Sequence, residues 1–145
     1  MDDLRAWIAK AAIAELIVRY AALNDAGDLE AVAALYTEDG RMSRPAAPDA
    51  FIEGRKVILE SFRARPPRAA RHIVANIMVT LEGTDRASAA SQILLFTGSV
   101  APRGGLPVLS NTAPLVGTYH DKLLDTDQGW RFIERRGSLD FSVST

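Results

Sequence analysis

Cysteine is absent from this chain of 145 residues. Its absence removes disulfides, thiolate nucleophiles and cysteine-based zinc sites together, and it fits a reducing compartment. Histidine is nearly as scarce, with two residues, His72 and His120, and no ligand motif joining them, so no metal site is expected. Net charge is missing as well. Lys+Arg number 17 and Asp+Glu 18, a balance of -1 that offers no bulk field to nucleic acid or anionic lipid. No apolar run approaches the roughly 20 residues of a membrane span. The opening Met1-Asp2-Asp3 lacks the basic segment of a secretory signal, and a cytoplasmic location is expected. No nucleotide, flavin or haem motif is present, so no cofactor is expected.

What is present is the composition of a globular protein, 48% hydrophobic and 24% charged. Without an internal repeat or a linker, residues 1–145 read as one domain. Apolar residues at Leu4, Trp7, Ile8, Ala11, Leu16, Tyr20 and Leu23, widened by Ile13 and Ile17, predict an amphipathic helix from Leu4 to Asn24. Gly27 is its stop and Asp28 caps a second helix, Leu29 to Tyr36. A turn at Thr37-Glu38-Asp39-Gly40 precedes a short strand near Arg41 to Ser43. Pro45 and Pro48 keep the next residues irregular, and Phe51 to Glu53 adds a few extended ones. A third helix, Arg55 to Ala64, ends at Pro66-Pro67.

The remainder reads as strands: Arg71 to Leu81, Ala87 to Thr97, Leu115 to Leu124 and Gly129 to Phe141. A long connection, Gly98 to Pro114, has the composition of a lid or contact surface. Helices followed by a strongly bent antiparallel sheet make an α+β roll, with a conical cavity closed at one end by the helices. At a period of two, the first strand puts Ile73, Ala75, Ile77, Val79 and Leu81 on a core face. The other face carries His72, Val74, Asn76, Met78 and Thr80, a mixture that suits a pocket wall. Asn76 is then a substrate hydrogen-bond donor and Met78 apolar lining. Tyr20 and Tyr36 are candidates to point hydroxyls into the cavity, although such tyrosines are more often core rings. Tyr119 and Asp121 share one face of their strand and His120 the other. Asp121 pairs across strands with Arg135 or Arg136, a contact worth little if exposed. Arg41 and Arg71 are candidate anion clamps.

Three segments carry a resemblance. Ala12 to Tyr20, Asn24-Asp25-Ala26-Gly27-Asp28 and Leu35 to Gly40 resemble the opening of SnoaL-like proteins in the nuclear transport factor 2-like superfamily. Arg71 to Asn76, Gly117 to Asp121 and Gly129 to Arg136 resemble its later strands. The resemblance implies a cone-shaped α+β barrel. By similarity to scytalone dehydratase and hexachlorocyclohexane dehydrochlorinase, it also implies a pair in which Asp25 orients His72 as a general base. Asn24 stands where scytalone dehydratase has a tyrosine, and joins Tyr20, Tyr36, Asn76 and Met78 as a substrate-binding candidate. The second strand holds no counterpart of that enzyme's second pocket histidine, which argues against its particular dehydration.

The implied activity is that of a cofactor-independent lyase, isomerase or cyclase on a small, largely apolar molecule, polyketide, aromatic or terpenoid, bound in the cavity. The competing reading is a non-catalytic ligand-binding or assembly subunit, similar to the small subunit of ring-hydroxylating dioxygenases. A limonene-type epoxide hydrolase needs a carboxylate network that the strands lack. Apolar residues on both faces of the strands, such as Ile93, Leu94, Leu95 and Phe96, point to a homodimer.

Overall fold

The computed structural model describes residues 2–110 and 113–142, the side chain of Pro102 excepted. Helix α1, Asp3–Ala26, begins at Asp2, whose carboxylate accepts from the Arg5 amide, and stops at Gly27 in the left-handed region, φ 77°. Helix α2, Leu29–Ala33, is capped by Asp28. It is shorter than the sequence predicts, because Tyr36 already pairs as the first residue of strand β1, Tyr36–Arg44. The residues expected as a turn, Thr37 to Gly40, lie inside that strand as a broad bulge. Tyr36 pairs with Phe132 and Arg41 with Glu134, so six residues of β1 span three of its neighbour. Strand β2, Ala47–Glu53, returns as a hairpin and accommodates Pro48 because it is the sheet's edge.

Helix α3, Arg55–Arg63, is followed by the long strands β3, Ala69–Glu82, and β4, Arg86–Ser99. The connection after β4 holds a short 3-10 turn, Pro102–Gly104, and a two-residue strand β5, Val108–Leu109, paired with β4. Strands β6, Leu115–Thr126, and β7, Gly129–Leu139, close the chain. The order across the sheet is β2-β1-β7-β6-β4-β3. The sheet is mixed rather than wholly antiparallel, since β1 runs parallel to β7. It curls into a half-barrel around α1, giving the α+β roll that the element order predicts.

The core lies between the inner face of that sheet and the helices. Ile13, Leu16, Ile17 and Tyr20 of α1 pack with Val32, Tyr36, Ile58, Phe62, Leu123 and Phe132, and Val74, Ile77, Val79 and Leu81 of β3 complete the contact. Leu4, Trp7 and Ile8, expected in the helix stripe, are 60% or more exposed. The stripe is wider than one sheet can cover, so only its Ala9, Ile13, Leu16, Ile17 and Tyr20 side is buried.

Strand β3 departs from simple alternation. Asn76 has φ 53°, and the pairing passes from Ala75 with Gln92 to Met78 with Ala90, one residue more on β3 than on β4. An extra residue reverses which side chains face inward from that point on. His72 and Val74 face in before the bulge, and Ile77, Val79 and Leu81 after it. Ile73, Ala75, Asn76, Met78 and Thr80 all face out. Asn76 and Met78 therefore do not line the cavity: Met78 is 73% exposed, and the Asn76 amide donates to Gln92 Oε1 on the outer face.

Candidate active site

Asp25 comes from the last turn of α1, and Gly27 ends the helix so that its carboxylate points at the start of β3. There both oxygens are engaged by one residue. Asp25 Oδ2 accepts the His72 backbone N–H at 2.8 Å, and Oδ1 meets His72 Nδ1 at 2.5 Å. The two side chains are 7% and 10% exposed. A carboxylate is an acceptor, so Nδ1 carries the hydrogen and Nε2 keeps its lone pair. Among the described residues Nε2 has no hydrogen-bond partner. Burial lowers the His72 pKa below its ordinary value. The hydrogen bond and charge of Asp25 oppose this, and Arg68 and Arg135 add to it. The sequence alone suggests that the carboxylate favours the protonated ring; in the fold, burial wins, and the imidazole is neutral near pH 7.

His72 lines a cavity of about 440 Å³ together with Tyr20, Asn24, Ser43, Phe62, Arg65, Ile93, Leu95 and Tyr119. Asp25 lines a neighbouring hollow of about 330 Å³, and Asn24, Phe62, Arg65, Pro66 and Arg68 form the partition common to both. Asn24 is held by Arg65, whose Nη2 donates to Asn24 Oδ1 at 3.1 Å. The Tyr20 and Tyr36 hydroxyls share a hydrogen bond of 2.9 Å. Tyr20 reaches the cavity wall, whereas Tyr36 is fully buried behind it. Burial raises the pKa values of Tyr20 and Tyr36, and that of Tyr119 to about 12, so all three are neutral phenols.

The floor of this region holds a pair that sequence reasoning treats as a surface contact. Arg135 and Asp121 are 1% and 2% exposed, with hydrogen bonds of 3.0 and 3.4 Å. The Arg135 guanidinium lies 3.9 Å from the Tyr119 ring, 4.3 Å from Tyr20 and 4.7 Å from Phe132. Burial raises the Asp121 carboxyl to about 6 against the pull of Arg135. A further bulge, in β7, makes the cluster possible. Lys122 pairs with Glu134 and Leu123 with Phe132, so both Phe132 and Arg135 face inward, three positions apart.

The remaining candidates lie elsewhere. Arg41 is tied to Glu134 and Glu53 and stacks on Phe51, outside the cavity. Arg71 and His120 are exposed on the outer sheet face. No described residue of the 98–114 connection lines the His72 cavity. Among the described residues, no group of three or more His, Cys, Asp or Glu converges as metal ligands, and no helix is long and apolar enough to cross a membrane. Ser43, Arg44, Arg65 and Arg68 were not singled out from sequence. The signal for two of them was legible, since Arg65-Pro66-Pro67-Arg68 places paired cations just before the strand of His72.

A curled mixed sheet closed by three helices, with an Asp-His pair beside a cavity, defines an α+β roll of the cystatin-like type. The chain belongs to the SnoaL-like domain family, whose model matches residues 5–136, within the nuclear transport factor 2-like superfamily. Its structure is similar to a nuclear transport factor 2-like protein with a cystatin-like fold from Novosphingobium aromaticivorans. The two are 27% identical with a TM-score of 0.77, over 97% of this chain and 88% of that one. A protein proposed to be a scytalone dehydratase from the same organism gives 22% identity and a TM-score of 0.77, covering 97% and 92%. A hexachlorocyclohexane dehydrochlorinase gives 17% and 0.78, covering 97% and 90%; both likenesses are of fold. Curated proteins provide no match.

Proposed function

We propose that this protein is a cofactor-independent lyase or isomerase acting on a small, largely apolar, cyclic molecule. The observation that carries the reading is the clamp of Asp25 on His72, which fixes the imidazole tautomer with Nε2 free beside the cavity. In the proposed reaction Nε2 removes a proton from a carbon next to a carbonyl. The electron pair of that C–H bond becomes a new carbon-carbon double bond. Either a leaving group departs with its own pair, or the imidazolium returns the proton at another carbon. Asp25 stabilises the imidazolium, and Asn24, Tyr20 and Tyr119 contact the substrate as neutral hydrogen-bonding groups.

The test is an NMR titration of the His72 ring in the native protein and in Asp25→Asn, followed by a screen of elimination and isomerisation substrates. A lower titration in the variant supports a coupled, oriented base. Coincident curves would remove the basis for a lyase and favour the second reading, a ligand-binding or assembly subunit. That alternative draws on the outer sheet face, where Ile73, Met78 and Phe141 are exposed, Met78 by 73% and Phe141 by 69%. The same face supports a homodimer, which light scattering would test. A cytoplasmic setting fits a chain without cysteine.

A further inference from the structure

Three arginines converge on the His72 cavity from two segments. Arg44 ends β1, and Arg65 and Arg68 flank Pro66-Pro67, whose fixed φ angles hold that loop between α3 and β3. Among the described residues, no aspartate or glutamate lines this cavity. Asp25 in the adjoining hollow has both oxygens committed to His72. Among the described residues, the hydrogen bonds of Arg65 and Arg44 are all to neutral groups: Arg65 donates to Asn24 Oδ1 at 3.1 Å and to the Phe62 carbonyl at 3.5 Å, and Arg44 donates to the Ser61 carbonyl at 3.1 Å. Arg68 has no hydrogen-bond or ion-pair partner among the described residues. The charges are close enough to repel: Arg65 holds its proton less firmly than usual, first through burial and then through Arg44 and Arg68. On a molecule whose formal charge is -1, this is a local concentration of positive potential at one cavity.

A second observation lies deeper on the same wall. Ser43 is fully buried, lines the cavity, and its hydroxyl has no hydrogen-bond partner among the described residues. Buried hydroxyls are normally satisfied, so an unmatched one beside an open volume marks a place for a ligand atom. Around it the wall is apolar, formed by Met42, Phe62, Ile93, Leu95 and Leu139.

We propose that the cavity takes an anionic substrate, a cyclic or aromatic carboxylate, whose acid group is received by Arg44, Arg65 and Arg68 while the Ser43 hydroxyl hydrogen-bonds a polar atom on its ring. The inference names the substrate class for the His72 site and rests on that cavity being where the ligand binds. Arginine forks match carboxylates in two-point geometry, and the apolar wall accepts the ring. The same cations meet negative charge that develops when His72 withdraws a proton.

The experiment is calorimetric titration of the full chain with 2-naphthoate and with its neutral counterpart 2-naphthamide. The naphthoate is expected to bind about tenfold more tightly at low salt, with the advantage shrinking as salt rises. Arg68→Gln, at an exposed position that leaves the core untouched, and Arg44→Gln should each weaken naphthoate severalfold and leave naphthamide unchanged. Ser43→Ala should weaken both probes. Equal affinities, failure of naphthoate to bind, or an advantage that survives Arg44→Gln combined with Arg68→Gln would overturn the proposal. Repeating the titration in His72→Gln separates it from the base reading: preserved charge preference alongside uncoupled Asp25 and His72 titrations leaves the anion site standing without the lyase.

Discussion

Converting Asp121 to asparagine keeps the side chain's shape and removes its charge. It leaves the Arg135 guanidinium 1% exposed, facing an amide whose NH2 group is as much a donor as itself. Breaking a buried pair by removing one partner costs about 3–5 kcal/mol, because the remaining charge is uncompensated. The three aromatic rings within 4.7 Å of the guanidinium contact it before and after the change, so they cancel from the difference. The loss sits near the lower end of that range, because the amide carbonyl oxygen introduced by Asp121→Asn still accepts from Arg135. The expected net loss is therefore about 3 kcal/mol. For a chain of 145 residues this lowers Tm by about 10 °C. Replacing both residues, as Asp121→Leu with Arg135→Met, should cost within about 1 kcal/mol of nothing. The Coulomb attraction in the native pair is largely offset by desolvation. Urea denaturation of the native protein, Asp121→Leu, Arg135→Met and the double variant gives the coupling energy; with each single variant costing about 3 kcal/mol and the double about nothing, its magnitude is expected at about 6 kcal/mol. A loss under about 1 kcal/mol for Asp121→Asn would refute the reasoning, since it would mean that water reaches Arg135.

Burial holds the folded His72 pKa below the unfolded value, so below about pH 6.5 the unfolded chain binds more protons and stability falls as pH drops through the folded pKa. Between pH 8 and pH 5 the denaturation midpoint of the native protein should fall relative to that of His72→Gln, the raised Asp121 carboxyl acting in the opposite direction equally in both. At the bulge, Asn76→Gly should be neutral or slightly stabilising and Asn76→Val should cost about 1–3 kcal/mol, because φ is 53° there; thermal melts distinguish them. A Cβ at Gly137 would lie 2.6 Å from the Pro45 nitrogen, so Gly137→Ala should push the β1-β2 turn away and cost about 1–3 kcal/mol. In the variant, 2-naphthoate should also bind less tightly as Ser43 and Arg44 shift. Trp7, 74% exposed, should be replaceable by serine within about 0.5 kcal/mol in the monomer, and a larger loss by melting would reveal that an assembled form covers it.

Local chemistry settled the three helices and most of their ends, though not the end of α2, where pairing of Tyr36 in β1 cut the helix short. Gly27 and Asp28 mark the break between α1 and α2 because only certain residues adopt the left-handed stop or satisfy the exposed amides of a helix start. The order of helices before strands, and the family likeness of the segments around Asp25 and His72, were equally legible, and the fold brings those two side chains together. The faces of the strands were decided only by tertiary structure. Period-two reading assumes that no residue is inserted, and one extra residue at Asn76 turned Met78 and its own amide outward. The tolerance of asparagine for positive φ was the one local hint of it. A similar insertion placed Arg135 beside Phe132 in the interior, where Asp121 became its buried partner instead of a surface contact. Ser43 and the arginines at the cavity depend likewise on how the β1-β2 turn seats against Gly137 and how the double proline ends α3. Register and bulges follow from pairing with strands many residues away, and the contacts that select them exist only once the sheet has closed around α1.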